Sequence, residues 1–178
     1  MDFTPDAKRA FHLQSYGPVS TIEGVRVIEL KRHGDDGGSM TELARLVEGR
    51  PEALGDFAVR QVNYSEIAPG VIKAFHLHHR QTDVWYVPPS DRLLAVLLDV
   101  RKSSRTEGTR MRVMLGNGAS RLLAIPPGVA HGVRNLGSET GRIVYFTDAH
   151  FSAEPAACDE GRLPWDFAGA DVWEITKG

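Results

Sequence analysis

Several residue types and patterns that mark particular protein classes are missing from this sequence. The chain has one cysteine, Cys158, so it can form neither an internal disulfide nor a metal site built from several thiolates. No apolar run approaches the roughly 18 residues that a membrane-spanning helix requires. The first residues also lack the basic and then apolar order of a signal peptide. We therefore expect a cytoplasmic protein that has no membrane partner.

An excess of either charge is missing too. The chain has 21 Lys and Arg and 23 Asp and Glu, which gives a net charge of −2 at pH 7, and the two signs are interspersed. A nucleic-acid groove would need a basic patch, so we expect no nucleic-acid partner. The sequence also has no GxGxxG, Walker or GxSxG motif. This argues against chemistry on nucleotide phosphates at a helix N-terminus.

The overall composition of the sequence is typical of a globular protein. Of 178 residues, 42% are hydrophobic and 25% are charged, which is typical of a folded protein and not of a disordered chain or a collagen. This length predicts one domain, which we expect to span 1–178. Within it we expect a short N-terminal arm over 1–20, a core over 25–150 and an irregular C-terminal wrap over 151–178.

Short alternating segments separated by turn signals fill most of the chain. Its 18 glycines and 10 prolines are spread along it and predict many turns. One short helix is expected over 41–48, ended by Pro51. Eight or so strands without long helices between them predict an all-β fold, either a sandwich or a jelly-roll barrel. The predicted strands cover 25–30, 57–67, 71–79, 83–87, 93–100, 110–115, 121–125 and 142–147.

The most informative segment is the strand over 71–79. Because alternate side chains of a strand share a face, His76 and His78 point the same way as Ile72 and Ala74, into the barrel. A polar ring buried without a partner costs about 1–3 kcal/mol, so these rings need partners. His131 lies near the start of a further strand. Core hydrogen bonds would explain one such histidine, but three favour a functional site.

The segment around His131 resembles the second cupin motif, PxGxxHxxxN, at every specified position. A longer resemblance, over about 25–173, is to the dTDP-4-dehydrorhamnose 3,5-epimerase family, the RmlC-like cupins. It implies a double-stranded β-helix (the cupin jelly roll) and a homodimer whose arm strands pair across the interface. The motifs that carry it are Lys73-Ala74-Phe75-His76 (RGxH), 99–108 (DxRxxSPTxG), 125–132 (IPxGxAHG) and the strand that contains Tyr145.

This resemblance implies that the protein epimerises a nucleotide-linked 4-keto-6-deoxy sugar without a cofactor. His76 matches the base that removes a proton next to the ketone, which suits an imidazole with a reference pKa near 6.5. Tyr145 matches the acid that returns a proton from the opposite face, and Asp166 matches an aspartate that orients the base. The residues expected to bind the nucleotide sugar, or another small polar ligand, are Glu42, Lys73, His78, Gln81, Asp83 and His131.

Two departures from the family pattern bear on the activity. Asp83 stands where the family has a lysine that balances the enolate, so the charge has the wrong sign. One unit charge at ~4 Å and an effective dielectric of ~20 is worth about 4 kcal/mol, or roughly a thousandfold in rate. Protonated His78 or His79 could supply the cation instead. Gly37 stands where the family has a phosphate-binding arginine, while Lys73 remains as a phosphate contact.

These departures leave two alternatives open. In the first, His76, His78, Asp83 and His131 resemble the metal set of other cupins, HxHx(4)E with a later histidine. Three imidazoles and one carboxylate would suit one divalent ion such as Fe, Mn, Ni or Zn, which would also neutralise Asp83. In the second, the protein is a non-catalytic cupin that binds a sugar.

Overall fold

The computed structural model describes residues 2–13 and 20–175. These ranges contain one α-helix, fourteen strands and two short 3-10 helices, at Glu52–Leu54 and Ala170–Trp173. The α-helix and strands are α1 (Pro5–Ala10), β1 (Arg26–Glu29), β2 (Arg32–Asp35), β3 (Gly38–Thr41), β4 (Leu46–Val47), β5 (Arg50–Pro51), β6 (Gln61–Ile67), β7 (Ile72–Leu77), β8 (Asp83–Tyr86), β9 (Arg92–Asp99), β10 (Arg110–Gly116), β11 (Arg121–Ile125), β12 (Val129–Asn135), β13 (Gly141–Thr147) and β14 (Gly161–Arg162).

Ten of these strands form two antiparallel five-stranded sheets that face each other. One sheet has the order β1-β11-β8-β13-β6 and the other the order β10-β9-β12-β7-β14, while β2–β3 and β4–β5 form separate hairpins. Each of the eight predicted strands overlaps an observed strand, and His131 lies on β12 as expected. The prediction of an all-β jelly roll is confirmed.

The main core lies between the two sheets and explains the alternation of the sequence. Leu93, Ala95 and Leu97 of β9 have no exposed surface and pack with apolar side chains of the opposite sheet. The intervening residues of the same strand point the other way. There, Leu94 and Val96 pack in a second cluster with the buried Trp173 near the C-terminus. Both faces of β9 are therefore covered, which is why this strand reads as a continuous apolar run.

The helix predicted over 41–48 is wrong. Thr41 ends β3, and the apolar residues that suggested a helix lie partly on the two-residue strand β4. Leu43 packs against the outer face of the first sheet in a cluster that contains Val144 and Phe146. The apolar spacing in this segment therefore reflects contact with that sheet.

The two ends of the chain also differ in part from expectation. Residues 5–10 of the predicted arm form α1, whose start is capped by the Thr4 side chain, and no residue of this helix is buried. Met1 and residues 14–19 of the arm lie outside the described residues. The C-terminal wrap is less irregular than expected, because β14 adds a strand beside β7. No helix in the described part of the chain is long and apolar enough to cross a membrane.

Candidate active site

A cavity of about 460 Å³ opens between the two sheets. β7 and β14 contribute side chains from one sheet, and β6, β8 and β13 contribute side chains from the other. Its volume lies in the range of small-molecule sites. The residues that line it are Ser65, Ile67, Ile72, Lys73, Ala74, His76, His78, Gln81, Asp83, Trp85, Val133, Ile143, Tyr145, Glu160 and Arg162.

The three histidines expected to converge do so. His76 of β7 pairs directly with His131 of β12. The two rings stack with their centroids 5.9 Å apart and an angle of 13° between their planes. The ring of His78 lies 5.3 Å from that of His131. The shared face of Ile72, Ala74, His76 and His78 is thus confirmed as a wall of the cavity.

This wall depends on a close approach between β7 and β12. A Cβ atom added to Gly132 would lie 2.3 Å from the Cβ of Ala74 and 2.8 Å from its Cα. Carbon atoms in contact are normally 3.5–4.0 Å apart. Only glycine therefore fits at this position without moving the strand that carries His76.

Asp83 lies at the floor of the cavity, 4% exposed. Its two oxygens accept hydrogen bonds from Gln81 Nε2 at 2.7 Å and from Trp85 Nε1 at 3.1 Å. Burial by itself raises the pKa of this carboxyl, but the neighbouring His131, His78 and Gln81 outweigh it and lower the pKa to about 2. Asp83 is therefore an anion at neutral pH.

His78 and His131 both turn one nitrogen toward this anion. The Nε2 atom of His131 lies 3.5 Å from Asp83 Oδ2 and makes no hydrogen bond, and that of His78 lies 3.9 Å from Oδ1. Their Nδ1 atoms lie 2.9 Å from the carbonyl of Val129 and 2.6 Å from the carbonyl of Asp159. Since a carbonyl only accepts, both Nδ1 atoms carry hydrogen.

The metal set considered from the sequence is divided in the structure. Ligand atoms of His78, Asp83 and His131 lie within 4.8 Å of one another, as the coordination of an ion by three residues requires. His76 belongs to a different group, with His78 and Glu160. The described residues thus bring together three of the four expected ligands, and His76 is directed elsewhere.

The environment of His76 makes it a neutral imidazole. Arg162 Nη1 lies 2.6 Å from its Nε2, and Glu160 Oε2 lies 3.6 Å from its Nδ1. Because a guanidinium can only donate, Nε2 must carry the lone pair and Nδ1 the hydrogen. Burial lowers the pKa of His76, and the charges of His131 and Arg162 lower it further, to about 3. The Nε2 atom of His76 therefore carries a lone pair, which accepts the hydrogen bond from Arg162 in the free protein.

Tyr145 faces the cavity from the opposite sheet. It lies on β13, where it pairs with Trp85 of β8 and Asn63 of β6. Burial raises the pKa of its phenol, and the negative charges of Asp83 and Glu160 raise it further. Tyr145 therefore keeps its proton at neutral pH and can donate it.

The remaining expected site residues fall inside and outside the cavity. Lys73 lines it and donates from Nζ to the carbonyl of Glu66 at 2.9 Å. Glu42 borders a separate apolar groove and pairs with Arg45 at 3.2 Å. His79 is exposed and does not line the cavity, which removes it as a source of the missing cation.

Asp166, expected to orient His76, does not reach the site. It lies in an exposed turn, where its backbone carbonyl accepts from Gly169, and it is absent from the cavity wall. The carboxylate beside His76 is Glu160, which belongs to the segment expected to form the irregular C-terminal wrap. The correction places the acidic partner of His76 on the residue before β14.

The segment around β14 is the part of the site that sequence reasoning missed. Phe75 and Leu163 exchange two backbone hydrogen bonds of 3.0 Å, which fix the segment along β7. Gly161 permits this pairing, because a Cβ there would lie 2.5 Å from the carbonyl oxygen of Leu77. The acidic and basic run from 159 to 162 was the available signal, but such runs are usually solvated.

Asp159 anchors this segment to the loop after β7. Its carboxylate accepts from the backbone N–H groups of His79, Arg80 and Gln81 at 2.9–3.0 Å. Burial raises the pKa of this carboxyl, and the three backbone donors outweigh it, so its pKa is lowered. One residue thus holds together the loop, the ring of His78 and the entry to β14.

Comparison with known proteins gives consistent results. The family described as dTDP-4-dehydrorhamnose 3,5-epimerase matches residues 19–166. SpsL, a spore coat polysaccharide biosynthesis protein of Bacillus subtilis strain 168, is 42% identical over 145 residues, which are 82% of this chain and 91% of SpsL.

Two solved structures are similar as well. The dTDP sugar isomerase of Desulfovibrio desulfuricans G20 has a TM-score of 0.70 at 27% identity, and the match covers 87% of this chain and 91% of that one. RmlC of Legionella pneumophila Philadelphia 1 is a dTDP-6-deoxy-D-glucose-3,5-epimerase whose structure is in complex with dTDP-4-keto-L-rhamnose. It has a TM-score of 0.66 at 27% identity, and the match covers 76% of this chain and 72% of that one.

The family match extends over most of the chain, including β7, β12 and β13, which carry His76, His131 and Tyr145. The resemblance drawn from the sequence motifs is thereby confirmed. The chain belongs to the dTDP-4-dehydrorhamnose 3,5-epimerase family.

Proposed function

We propose that the protein epimerises a nucleotide-linked 4-keto-6-deoxy sugar at a carbon next to the ketone. The observation that carries this proposal is that a neutral His76 and a protonated Tyr145 line the same cavity from opposite sheets. Inversion of a carbon requires that the proton leaves from one face and returns to the other. A base and an acid on opposite sheets meet this requirement.

The reaction proceeds in two proton transfers. The lone pair of His76 Nε2 takes the proton from the carbon, and the electrons of the broken C–H bond form the enolate. The phenol of Tyr145 then delivers a proton to the opposite face, and the ketone reforms. Solvent removes the proton from His76 and restores that of Tyr145, so the net change is the inverted carbon. Because the ketone acidifies the carbon beside it, the scheme uses no cofactor.

The cavity suits a sugar whose nucleotide extends outward. A second space of about 310 Å³ adjoins the first and shares His76, Gln81, Tyr145 and Arg162 with it. We assign the sugar ring to the first space, between His76 and Tyr145, and a phosphate to the edge of that space, where the exposed Lys73 lies. That RmlC of Legionella pneumophila is described in complex with dTDP-4-keto-L-rhamnose supports a nucleotide-sugar ligand here.

Exchange of solvent deuterium into dTDP-4-keto-6-deoxyglucose tests the proposal. We expect exchange with the wild type and a loss of at least 100-fold with His76→Ala, within the usual contribution of about 10²–10⁴-fold from a general base. Tyr145→Phe should retain exchange and lose product inversion, because proton removal does not need the phenol. The exposed His33→Ala is a matched control. Wild-type protein that binds the sugar without exchange would instead be a sugar-binding cupin.

We also propose that the protein is a homodimer. β6 is an edge strand, and Val62 and Tyr64 on its outer face are 56% and 59% exposed. Exposed edge strands with apolar side chains are suited to pairing with another chain. Sedimentation should give twice the monomer mass for the wild type and a smaller mass for Val62→Lys. A monomer at every concentration would contradict this proposal.

We propose a cytoplasmic location as well, in which the single exposed thiol of Cys158 stays reduced. Cell fractionation that places the protein in another compartment would contradict it.

A further inference from the structure

Removal of a proton next to a ketone leaves negative charge on the ketone oxygen, and an enzyme must stabilise that charge. From the family resemblance we expect a lysine that stabilises the enolate, but the corresponding residue in this chain is Asp83. This carboxylate is buried and ionised, so it opposes the developing charge. The cation must come from elsewhere in the cavity.

The histidines near Asp83 are poorly placed to supply it. The Nδ1–H groups of His78 and His131 are directed at backbone carbonyls of Asp159 and Val129. Their Nε2 atoms face the oxygens of Asp83. A proton on either Nε2 atom would therefore be directed at that carboxylate and not at the sugar.

Among the described residues that line the cavity, Lys73 and Arg162 carry a permanent positive charge. Lys73 is exposed and lies three residues before His76, and its Nζ is bonded to the carbonyl of Glu66. That position suits a phosphate at the cavity edge better than a ketone beside the base.

Arg162 lies directly beside the reacting groups. It pairs with His76 in the register of β14 and β7, and its Nη1 donates to His76 Nε2 at 2.6 Å. Burial raises the pKa of Tyr145, and the charge of Arg162 partly opposes this rise, so the guanidinium acts on the acid as well as on the base. Of the two permanent cations, only Arg162 contacts the nitrogen that accepts the proton.

We propose that Arg162 is a catalytic residue that stabilises the enolate oxygen. In the free protein its guanidinium occupies the lone pair of His76. When the sugar enters, Arg162 moves its hydrogen bond to the ketone oxygen and releases His76 Nε2. His76 then takes the carbon-bound proton, the C–H electrons form the enolate, and Arg162 donates to its oxygen until Tyr145 protonates the carbon. This inference rests on the proposed epimerase function.

The test compares variants of the two cavity cations in deuterium exchange with dTDP-4-keto-6-deoxyglucose. Removal of one oxyanion donor typically lowers kcat by about 10²–10³-fold. We expect that loss for Arg162→Gln, with KM within about threefold of wild type, because the charge is needed in the transition state. Lys73→Gln should instead raise KM and leave kcat within about threefold of wild type.

Chemical rescue separates a catalytic from a structural role. Arg162→Ala should recover part of its kcat when guanidinium ion is added at millimolar concentration, whereas His76→Ala should not respond. Circular dichroism should show that both variants fold, since Arg162 is exposed and lies on a two-residue strand.

The outcomes distinguish the two proposals. Absence of exchange in the wild type would overturn the epimerase function and this inference with it. Exchange in the wild type together with an Arg162→Gln variant that keeps its kcat, or loses only affinity, would overturn this inference alone. Rescue of Arg162→Ala by guanidinium, together with a kcat of Lys73→Gln that stays within about threefold of wild type, supports it.

Discussion

Replacement of Gly132 by alanine tests whether the close contact between β7 and β12 positions the base. The new Cβ would lie 2.3 Å from the Cβ of Ala74, 2.8 Å from its Cα and 2.9 Å from the carbonyl oxygen of Lys73. Since two carbon atoms in van der Waals contact are normally about 3.5–4.0 Å apart, β7 and β12 must separate locally by about 1 Å. Such overpacking costs about 1–3 kcal/mol.

Urea unfolding should therefore show that Gly132→Ala is less stable than the wild type by about 2–3 kcal/mol, equivalent to about 4–12 °C in Tm for a chain of this size. The displacement also moves His76, and a misplacement of about 1 Å can cost about 100-fold in rate. Deuterium exchange should fall accordingly.

A matched control and a second-site variant sharpen the test. Gly34→Ala, on an exposed hairpin where the added atom finds a neighbour only at 3.7 Å, should change stability by less than about 0.5 kcal/mol. Ala74→Gly should restore part of the stability lost in Gly132→Ala, with a coupling energy of at least about 0.5 kcal/mol. If Gly132→Ala is as stable and active as Gly34→Ala, the contact does not position the base.

Three further predictions concern titratable groups of the site. His76 acts as a neutral base with a pKa of about 3, so the kcat/KM of the wild type should fall through protonation of His76 only as the pH approaches 3. Arg162→Gln should move this acidic fall in kcat/KM to higher pH. A wild-type profile that falls near pH 6.5, the ordinary pKa of histidine, would contradict this prediction. Asp83→Asn removes an ionised carboxylate next to two imidazoles and should lower the free energy of unfolding by about 2 kcal/mol in urea at pH 7, and unchanged stability would refute it. Asp159→Ala deprives three backbone donors of their acceptor and should lower the free energy of unfolding in urea by about 1–3 kcal/mol. Asp56→Ala, at an exposed position, should leave that free energy unchanged.

The sign of the His76 effect on stability follows from the same pKa. Because the folded protein binds this proton less readily than the unfolded chain, the folded state is favoured above the unfolded pKa of about 6.5. The stability contributed by neutral His76 is therefore lost as pH falls from about 6.5 toward 3. Thermal melting of His76→Gln across this range should show a weaker dependence on pH than the wild type.

Local patterns were sufficient to predict the sheets and the histidine face. Alternation in β7 assigned Ile72, Ala74, His76 and His78 to one side, since the pleat of a strand fixes the direction of each side chain. The same reasoning failed over 41–48, where Leu43 is apolar because it packs against the outer face of the first sheet, in a cluster that also contains Val144 and Phe146. Periodicity in a short segment does not distinguish these causes.

The acidic partner of the base could not be predicted for a related reason. Glu160 approaches His76 only because the segment around β14 pairs with β7 across more than eighty residues of sequence. No local signal reports such a pairing, and family spacing pointed to Asp166 instead. Long-range strand pairing therefore determined the part of the site that the sequence left undetermined.

The position of β14 in the chain has a consequence for how the protein is made. The strands of both sheets up to β13 are synthesised before residues 159–162 leave the ribosome. A nascent chain can thus close its barrel while His76 still lacks Arg162 and Glu160 and the loop after β7 lacks Asp159. The catalytic centre is therefore assembled only after the strands of both sheets up to β13 have been made, and the growing chain carries an incomplete centre until residues 159–162 are added.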